Sequence, residues 1–197
     1  MKLALIGTHG VGKTTLAFEV CAQLKIAGYS VELVTEIARR SPFPVNEGTT
    51  LESQLWILHQ QIAQELEATP RAQYVVCDRA VIDNYAYLAN KFDRQYHLEP
   101  MLSQWLRTYD LLIYIPLRNG DIQADGFRSE NMEFQRTIDL RVRGLVRTSP
   151  FAERLNELVD LEVAGVSRER YADYIVKEIL PRHNPYLPTQ SLSSSPV

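Results

Sequence analysis

Residues 7 to 14 read Gly-Thr-His-Gly-Val-Gly-Lys-Thr, the G-x-x-x-x-G-K-T spacing of a phosphate-binding loop, or P-loop. A short apolar run, Lys2–Ile6, comes directly before this loop and predicts a buried strand. Apolar residues at helical spacing follow it from Leu16 to Ala27. A strand, a glycine-rich loop and a helix in this order are the context that the motif requires, so a chance match is disfavoured.

The loop predicts a nucleotide site that uses ATP and Mg²⁺ as cofactors. Its glycines lack a β-carbon, so the backbone can turn its N–H groups toward an anion. Lys13 is expected to reach the β- and γ-phosphates, and the Thr14 hydroxyl is expected to coordinate Mg²⁺. The predicted nucleotide contacts are Gly7, His9, Gly10, Val11, Gly12, Lys13, Thr14 and Thr15.

Composition indicates an ordinary globular protein without a strong electrostatic partner. The chain has 197 residues, and its hydrophobic fraction of 45% is typical of a soluble domain. A net charge of −3 provides no basic field for nucleic acid or membranes, so neither partner is expected. No apolar stretch approaches the length of a membrane span, and the first strand begins at residue 2, which predicts a cytoplasmic protein without a secretory signal.

Strand-like and helix-like segments alternate along the chain, which predicts an α/β fold with a mainly parallel sheet covered on both faces. The predicted strands are residues 2–6, 31–34, 73–77, 110–115 and 158–163. Helices are predicted at 51–66, within 80–108, from a Ser129 cap to about 146, and from a Ser167 cap to Pro181. Ligands of such sheets bind beyond the carboxyl ends of the strands, where functional residues are expected.

We expect a single P-loop domain over residues 1–182, with a helical lid at about 117–147. Residues 183–197 are rich in Pro and Ser and predict a flexible tail. Oligomeric state is left open by the sequence.

Three charged residues follow the predicted second and third strands. Asp78 ends an apolar run as a Walker B carboxylate does, and it is expected to hold Mg²⁺ opposite Thr14. Arg79, next to it, suits a site that binds phosphate groups. Glu36 is a candidate for accepting the proton of a substrate hydroxyl. The simpler alternatives are that Asp78 only caps the next helix and that Glu36 is only a solvated side chain.

Further candidates lie on the flanks of these positions. Arg39 and Asn84 are predicted to contact the substrate, together with Glu36 and Arg79. Arg128 stands between a loop and the predicted lid helix, where a cation arriving on closure would stabilise the transferring phosphate. The predicted catalytic set is therefore Lys13, Glu36, Asp78 and Arg128.

Four segments together resemble the NadR/thymidylate-kinase-like AAA domains, which are P-loop proteins related to nucleoside and nucleotide kinases. They are Gly7–Thr15, Thr35–Arg39, Val76–Asp83 with Tyr87, and Asp125–Arg128. The resemblance covers roughly residues 1–180. It implies a three-layer P-loop fold with strand order 2-3-1-4-5, Asp78 at the metal and acceptor site, Glu36 near the acceptor, and Arg128 as a lid arginine.

The favoured interpretation is a kinase that transfers the γ-phosphate of ATP to a small nucleoside- or nucleotide-like acceptor. Two alternatives remain: an ATPase or nucleotide-dependent switch, and a nucleotide-binding module without catalysis. Asp78, Arg79 and Arg128 favour turnover over binding alone. Residues 41–50 match no acceptor-specific signature, so the identity of the acceptor stays open.

Overall fold

The computed structural model of the chain describes residues 1–45, 48–118 and 131–183. Five parallel strands form one sheet in the order β2-β3-β1-β4-β5. The strands are β1 (Lys2–Ile6), β2 (Val31–Val34), β3 (Tyr74–Cys77), β4 (Leu111–Tyr114) and β5 (Leu158–Asp160). The predicted fold class and the strand order implied by the resemblance are confirmed.

Helices cover both faces of this sheet. They are α1 (Lys13–Ile26), α2 (Leu51–Ala68), α3 (Val81–Phe92), α4 (Glu99–Leu106), α5 (Met132–Leu145), α6 (Tyr171–Tyr174) and α7 (Leu180–His183). Leu3 and Leu5 of β1 pack with α1 and the C-terminal helices, whereas Ala4 and Ile6 pack with helices α2 to α5. Successive side chains of a strand point to opposite faces, and β1 is apolar from Leu3 to Ile6 because both its faces are buried.

Several predicted boundaries are wrong, each for a local reason. The fifth strand ends at Asp160 instead of residue 163, because Oδ1 of Asp160 accepts from the N–H groups of Glu162 (3.0 Å) and Val163 (3.4 Å) and turns the chain. Helix α5 begins at Met132 rather than near Ser129, since the Asn131 side chain caps it by accepting from the N–H groups of Glu133 and Phe134.

The last helix is also different from its prediction. Ser167 stands at the start of a 3₁₀ turn, Arg168–Arg170, and makes no capping hydrogen bond with its side chain. Pro181 does not end the helix, which continues to His183. The turn before α7, Ile175–Ile179, is a π-helix. A proline ring clashes with the carbonyl four residues earlier in a regular α-helix, and this π-helical turn interrupts the regular geometry just before Pro181.

Part of the predicted lid and nearly all of the predicted tail fall on residues that the structure does not describe. Residues 119–130 and 184–197 belong to this group, so the domain boundaries, the lid and the tail stay predictions. Among the residues with described coordinates, no helix combines the length and apolar character needed to cross a membrane.

Candidate active site

The phosphate-binding loop joins β1 to α1 and turns at glycines with positive φ. The φ angles are 139° at Gly7, 80° at Gly10 and 85° at Gly12, values that side chains disfavour. A β-carbon on Gly7 would lie 2.7 Å from the carbonyl oxygen of Ile115, the residue that follows β4. Glycine is therefore required at position 7 both by its backbone angle and by this close approach.

Asp83 holds the beginning of the loop, a role that the sequence did not reveal. The Gly7 N–H donates to its Oδ1 at 2.8 Å, and the Ala80 N–H donates to its Oδ2 at 2.9 Å. The side chain is fully buried, and burial raises the pKa of this carboxyl group. The bond with Ala80 follows a capping signal, because a carboxylate three residues after the N-cap commonly accepts from that residue. The bond with Gly7 spans 76 residues of sequence and has no such signal.

Lys13 begins α1 and folds its side chain back over the loop. Its Nζ donates to the carbonyl oxygens of Gly7 at 2.8 Å and of Thr8 at 2.5 Å. Burial, reinforced by the positive charge of Arg79, lowers the pKa of Lys13 to about 7. The ammonium group therefore carries a charge that the ligand-free site stabilises poorly.

The carboxylates around Lys13 act in the opposite direction. Asp83, Asp78 and Glu36 each raise the pKa of Lys13, although less than burial lowers it. This electrostatic coupling indicates that the end of β2, the end of β3 and the loop after β1 share one site. The arrangement follows from the sheet order, because β3 lies between β2 and β1.

ATP binding is expected to take up a proton at about pH 8. The pKa of Lys13 near 7 leaves the free site mostly uncharged there, and the phosphates of ATP would raise that pKa. Affinity for ATP should then fall as the pH rises above about 7, by at most about tenfold per pH unit. Calorimetry in two buffers of different ionisation enthalpy measures the uptake. Equal apparent binding enthalpies in both buffers would contradict this prediction.

Thr14 and Asp78 form the oxygen pair predicted for the metal. The Thr14 hydroxyl donates to Oδ2 of Asp78 at 2.6 Å. Thr14 lies in the first turn of α1, and Asp78 follows β3 directly. A hydroxyl and a carboxylate are hard oxygen ligands, so the pair fits Mg²⁺ by its donor chemistry.

Glu36 and Arg79 form a buried ion pair at the ends of β2 and β3. Both Nε and Nη2 of Arg79 donate to Oε1 of Glu36, at 2.9 Å and 2.7 Å. Oε2 of the same carboxylate accepts from Nε of Arg39 at 3.0 Å. The Glu36 side chain is 5% exposed and that of Arg39 is 39% exposed. One carboxylate is thus held between a buried and a half-exposed guanidinium group.

Two buried donors at this end of the sheet have no hydrogen-bond partner within the described parts of the chain. They are Nη1 of Arg79 and Nδ2 of Asn84, which lies in the first turn of α3. The ring of Tyr87 packs 5.2 Å from the guanidinium carbon of Arg79. Buried polar groups are normally paired, so these two donors mark places where a ligand would offer acceptor atoms.

His9 packs into an aromatic cluster rather than standing alone in the loop. Its Nδ1 lies 2.9 Å from the Tyr87 hydroxyl, and its ring centroid lies 5.6 Å from that of Phe134 in α5. Tyr87 therefore connects the loop with the Glu36–Arg79 pair. A contact between His9 and nucleotide stays a prediction.

Helix α5 supports the loop through Gln135, which sequence reasoning missed. Its Nε2 donates to the carbonyl oxygen of His9 at 2.8 Å, and its own carbonyl accepts from the Thr8 hydroxyl at 2.9 Å. The first of these contacts spans 126 positions of sequence, and the second spans 127. An isolated glutamine in an amphipathic helix carries no sequence signal of such a contact.

A cleft of about 360 Å³ lies beyond the carboxyl ends of β4 and β5. It includes residues 165–167, which lie between β5 and the last helices of the chain. Arg168, just after this segment, donates to the carbonyl oxygen of Val11 in the phosphate-binding loop. The cleft is lined by Pro116, Leu117, Arg118, Leu161, Glu162, Gly165, Val166 and Ser167.

The structure does not place two of the predicted site residues among these contacts. Thr15 is exposed in the first turn of α1. Arg128 lies outside the described residues, so its role as a lid arginine stays a prediction.

Comparisons with known proteins agree with this architecture. A family model described as an AAA domain matches residues 2–157. No match was found among curated proteins. A solved structure of deoxyadenosine kinase from M. mycoides with products dCMP and a flexible dCDP is similar, with a TM-score of 0.62 and 18% identity over 94% of this chain and 100% of that chain. The same enzyme with bound dATP has a TM-score of 0.60 and 18% identity over 89% of this chain and 96% of that chain.

Proposed function

The chain belongs to the AAA domain family, and from this premise we propose that it is an ATP-dependent kinase for a small nucleoside- or nucleotide-like acceptor. The observation that carries the proposal is the buried Glu36–Arg79 pair beside the phosphate-binding loop. A loop that only binds nucleotide has no need for a buried carboxylate just after the end of β2. The fold shared with deoxyadenosine kinase supports an acceptor of the nucleoside class.

ATP would bind with its phosphates in the loop at Gly7–Thr14 and its base in the cleft after β4 and β5. The ammonium group of Lys13 would exchange its bonds with two loop carbonyls for bonds with the β- and γ-phosphates. Thr14 and Asp78 would hold Mg²⁺, which supplies positive charge that stabilises the phosphates in the transition state.

Glu36 would act on the acceptor. As the acceptor oxygen forms its bond with the γ-phosphorus, the bond between that phosphorus and the β-γ bridging oxygen breaks, and ADP leaves with the electron pair. The hydroxyl proton of the acceptor passes to the Glu36 carboxylate. Arg79 and Arg39 hold the two oxygens of Glu36, which limits the orientations that the carboxylate can take.

The unpaired donors restrict the chemistry of the acceptor. Nη1 of Arg79 and Nδ2 of Asn84 would each bind an oxygen or nitrogen that carries a lone pair. A sugar hydroxyl or the edge of a base offers such atoms, whereas a purely apolar acceptor would leave both donors buried and unpaired. Arg128 would arrive over the γ-phosphate when the predicted lid closes, which also excludes water.

The test is phosphoryl transfer from ATP to a panel of deoxyadenosine, deoxycytidine, thymidine and thymidine monophosphate. We expect one class of acceptor to form a phosphorylated product, with ADP released at a rate that depends on acceptor concentration. The control is ADP release without acceptor, which should be slow. Equal ADP release with and without every acceptor would instead favour the ATPase interpretation, and no release at all would favour a binding module.

A further inference from the structure

The backbone at Arg79 has a conformation that requires support from elsewhere. Its φ angle is 130°, in a region that residues with a side chain rarely adopt. This conformation directs the guanidinium group toward Glu36 while Asp78, the preceding residue, bonds Thr14. Strained backbone persists where surrounding contacts hold it, and such strain is concentrated at functional sites.

Gln61 of α2 provides such a contact. Its Nε2 donates to the carbonyl oxygen of Arg79 at 3.2 Å and to Oε1 of Glu65 at 2.8 Å. The side chain is 1% exposed, so no solvent competes for these bonds. Because both partners are acceptors, the amide must present its nitrogen to both of them. The orientation of Gln61 is therefore determined by its surroundings.

A buried cluster holds Glu65 in turn. Oε1 of Glu65 accepts from the Tyr109 hydroxyl at 2.6 Å, and Oε2 accepts from Lys2 Nζ and Trp105 Nε1, both at 2.8 Å. Glu65 is fully buried and cannot turn away from Gln61 without losing these bonds. A continuous series of contacts thus runs from Lys2 through Glu65 and Gln61 to Arg79.

The orientation of the Gln61 amide lowers stability at its oxygen atom. Oε1 of Gln61 is buried and has no hydrogen-bond partner among the described residues. An unpaired buried oxygen lowers stability, and an apolar side chain of the same size would avoid it. A glutamine at this position is explained if its nitrogen is needed to hold the Arg79 carbonyl.

We propose that Gln61 is a positioning residue, which fixes the Arg79 backbone so that its guanidinium group orients Glu36 toward the acceptor. Gln61 itself touches neither nucleotide nor acceptor and acts only through Arg79. The catalytic consequence rests on the proposed kinase function, but the positioning itself is a property of the ligand-free protein.

The variant Gln61→Met removes the amide and keeps the length of the side chain. Gln23→Met is the matched control, because Gln23 of α1 likewise donates through Nε2, at 2.8 Å to Asp173, and has a buried Oε1 without a partner in the described chain. The readout is hydrogen exchange of the Arg79 Nε–H group, followed by ¹⁵N NMR. Arg79→Lys assigns the signal by removing it.

We expect exchange of the Arg79 Nε–H group to be at least about tenfold faster in Gln61→Met than in the wild type, and unchanged in Gln23→Met. With ATP and deoxyadenosine, Gln61→Met should lower kcat roughly ten- to hundredfold and leave KM for ATP within about twofold. Because a smaller folded fraction would also lower the apparent kcat at an unchanged KM, kcat is expressed per folded protein, with the folded fraction measured at the assay temperature.

Wild-type exchange in a folded Gln61→Met protein would overturn the inference. If Gln61→Met does not fold, Gln61→Asn, whose amide is one methylene too short to reach both partners, decides the question by the same measurement. Because the NMR readout needs no turnover, a chain that phosphorylates no acceptor would contradict the proposed function without affecting this test.

Discussion

Replacing Lys13 with methionine is expected to lower ATP turnover by about a thousandfold or more. Removal of one preorganised donor at a transition state typically costs about 10²- to 10³-fold, and Lys13 would supply a full positive charge to the transferring phosphate. Methionine preserves the unbranched shape of the side chain and removes the charge. The measurement is the rate of ADP and product formation at saturating acceptor.

The same substitution should not unfold the protein. Burial lowers the pKa of Lys13 to about 7 from the usual 10.5, so the folded state opposes its charge. This destabilisation is complete below about pH 7, where Lys13 is charged in both states, and it disappears as the pH rises toward 10.5. Lys13→Met should therefore melt at or above the wild-type temperature at about pH 6, with a smaller advantage at about pH 9.

Lys25→Met is the matched control on the same helix. Lys25 is exposed in the last turn of α1, so its replacement changes net charge equally without touching the phosphate-binding loop. Its turnover should remain within about twofold of the wild type. Turnover in Lys13→Met that equals this control would remove the basis for placing the γ-phosphate in the loop.

Glu36→Gln is expected to lower kcat by roughly 10²- to 10⁴-fold, the range of a lost general base. KM for ATP should change by less than about twofold, because the proposed role of Glu36 is toward the acceptor and not the nucleotide. Steady-state kinetics with ATP varied at saturating acceptor measures both constants.

The hydrogen bonds of Glu36 indicate that this substitution changes few contacts besides the proton acceptor. Both bonds from Arg79 end on Oε1 of Glu36, and a glutamine retains an oxygen that can accept them. Only the contact between Oε2 and Arg39 is lost, and the half-exposed Arg39 side chain can turn into solvent. The hydrogen-bond geometry at Arg79 should therefore be retained, while the negative charge and the proton acceptor are removed.

Two further variants separate the possible causes of the loss. Glu32→Gln changes the same residue type within β2, away from the Glu36–Arg79 pair, and should leave kcat unchanged. Arg39→Met removes the same Arg39 contact but keeps the carboxylate, so its kcat should exceed that of Glu36→Gln by about tenfold or more. If Glu36→Gln keeps wild-type kcat, Asp78 becomes the carboxylate that orients the acceptor hydroxyl.

Local signals in the sequence were sufficient for the sheet and the phosphate-binding loop. The strand at Lys2–Ile6, the glycines of the loop and the α1 periodicity all arise from neighbouring residues. Asp78 was also located by a local signal, because it follows an apolar run; its Oδ2 accepts from the Thr14 hydroxyl, and its role at Mg²⁺ stays a prediction. Helix ends were less predictable, because Asn131 caps α5 and the chain stays helical through Pro181 to His183.

The partners of the candidate residues required the tertiary structure. Glu36 was identified as a candidate because it follows a strand, but its bonds to Arg79 cross 43 residues of sequence. Asp83, Gln61 and Gln135 carry no chemical motif of their own and gain their roles from contacts 76, 18 and 126 residues away. No periodicity or spacing rule relates residues at such separations.

The sequence alone determined that a parallel sheet would present a glycine loop, a lysine and two carboxylates at one edge, because backbone angles and apolar periodicity act over a few residues. Only the tertiary structure decided which side chains pair there, because that outcome depends on burial. Exclusion of water lowers the pKa of Lys13 and leaves Nη1 of Arg79 unpaired, and no isolated segment excludes water in this way.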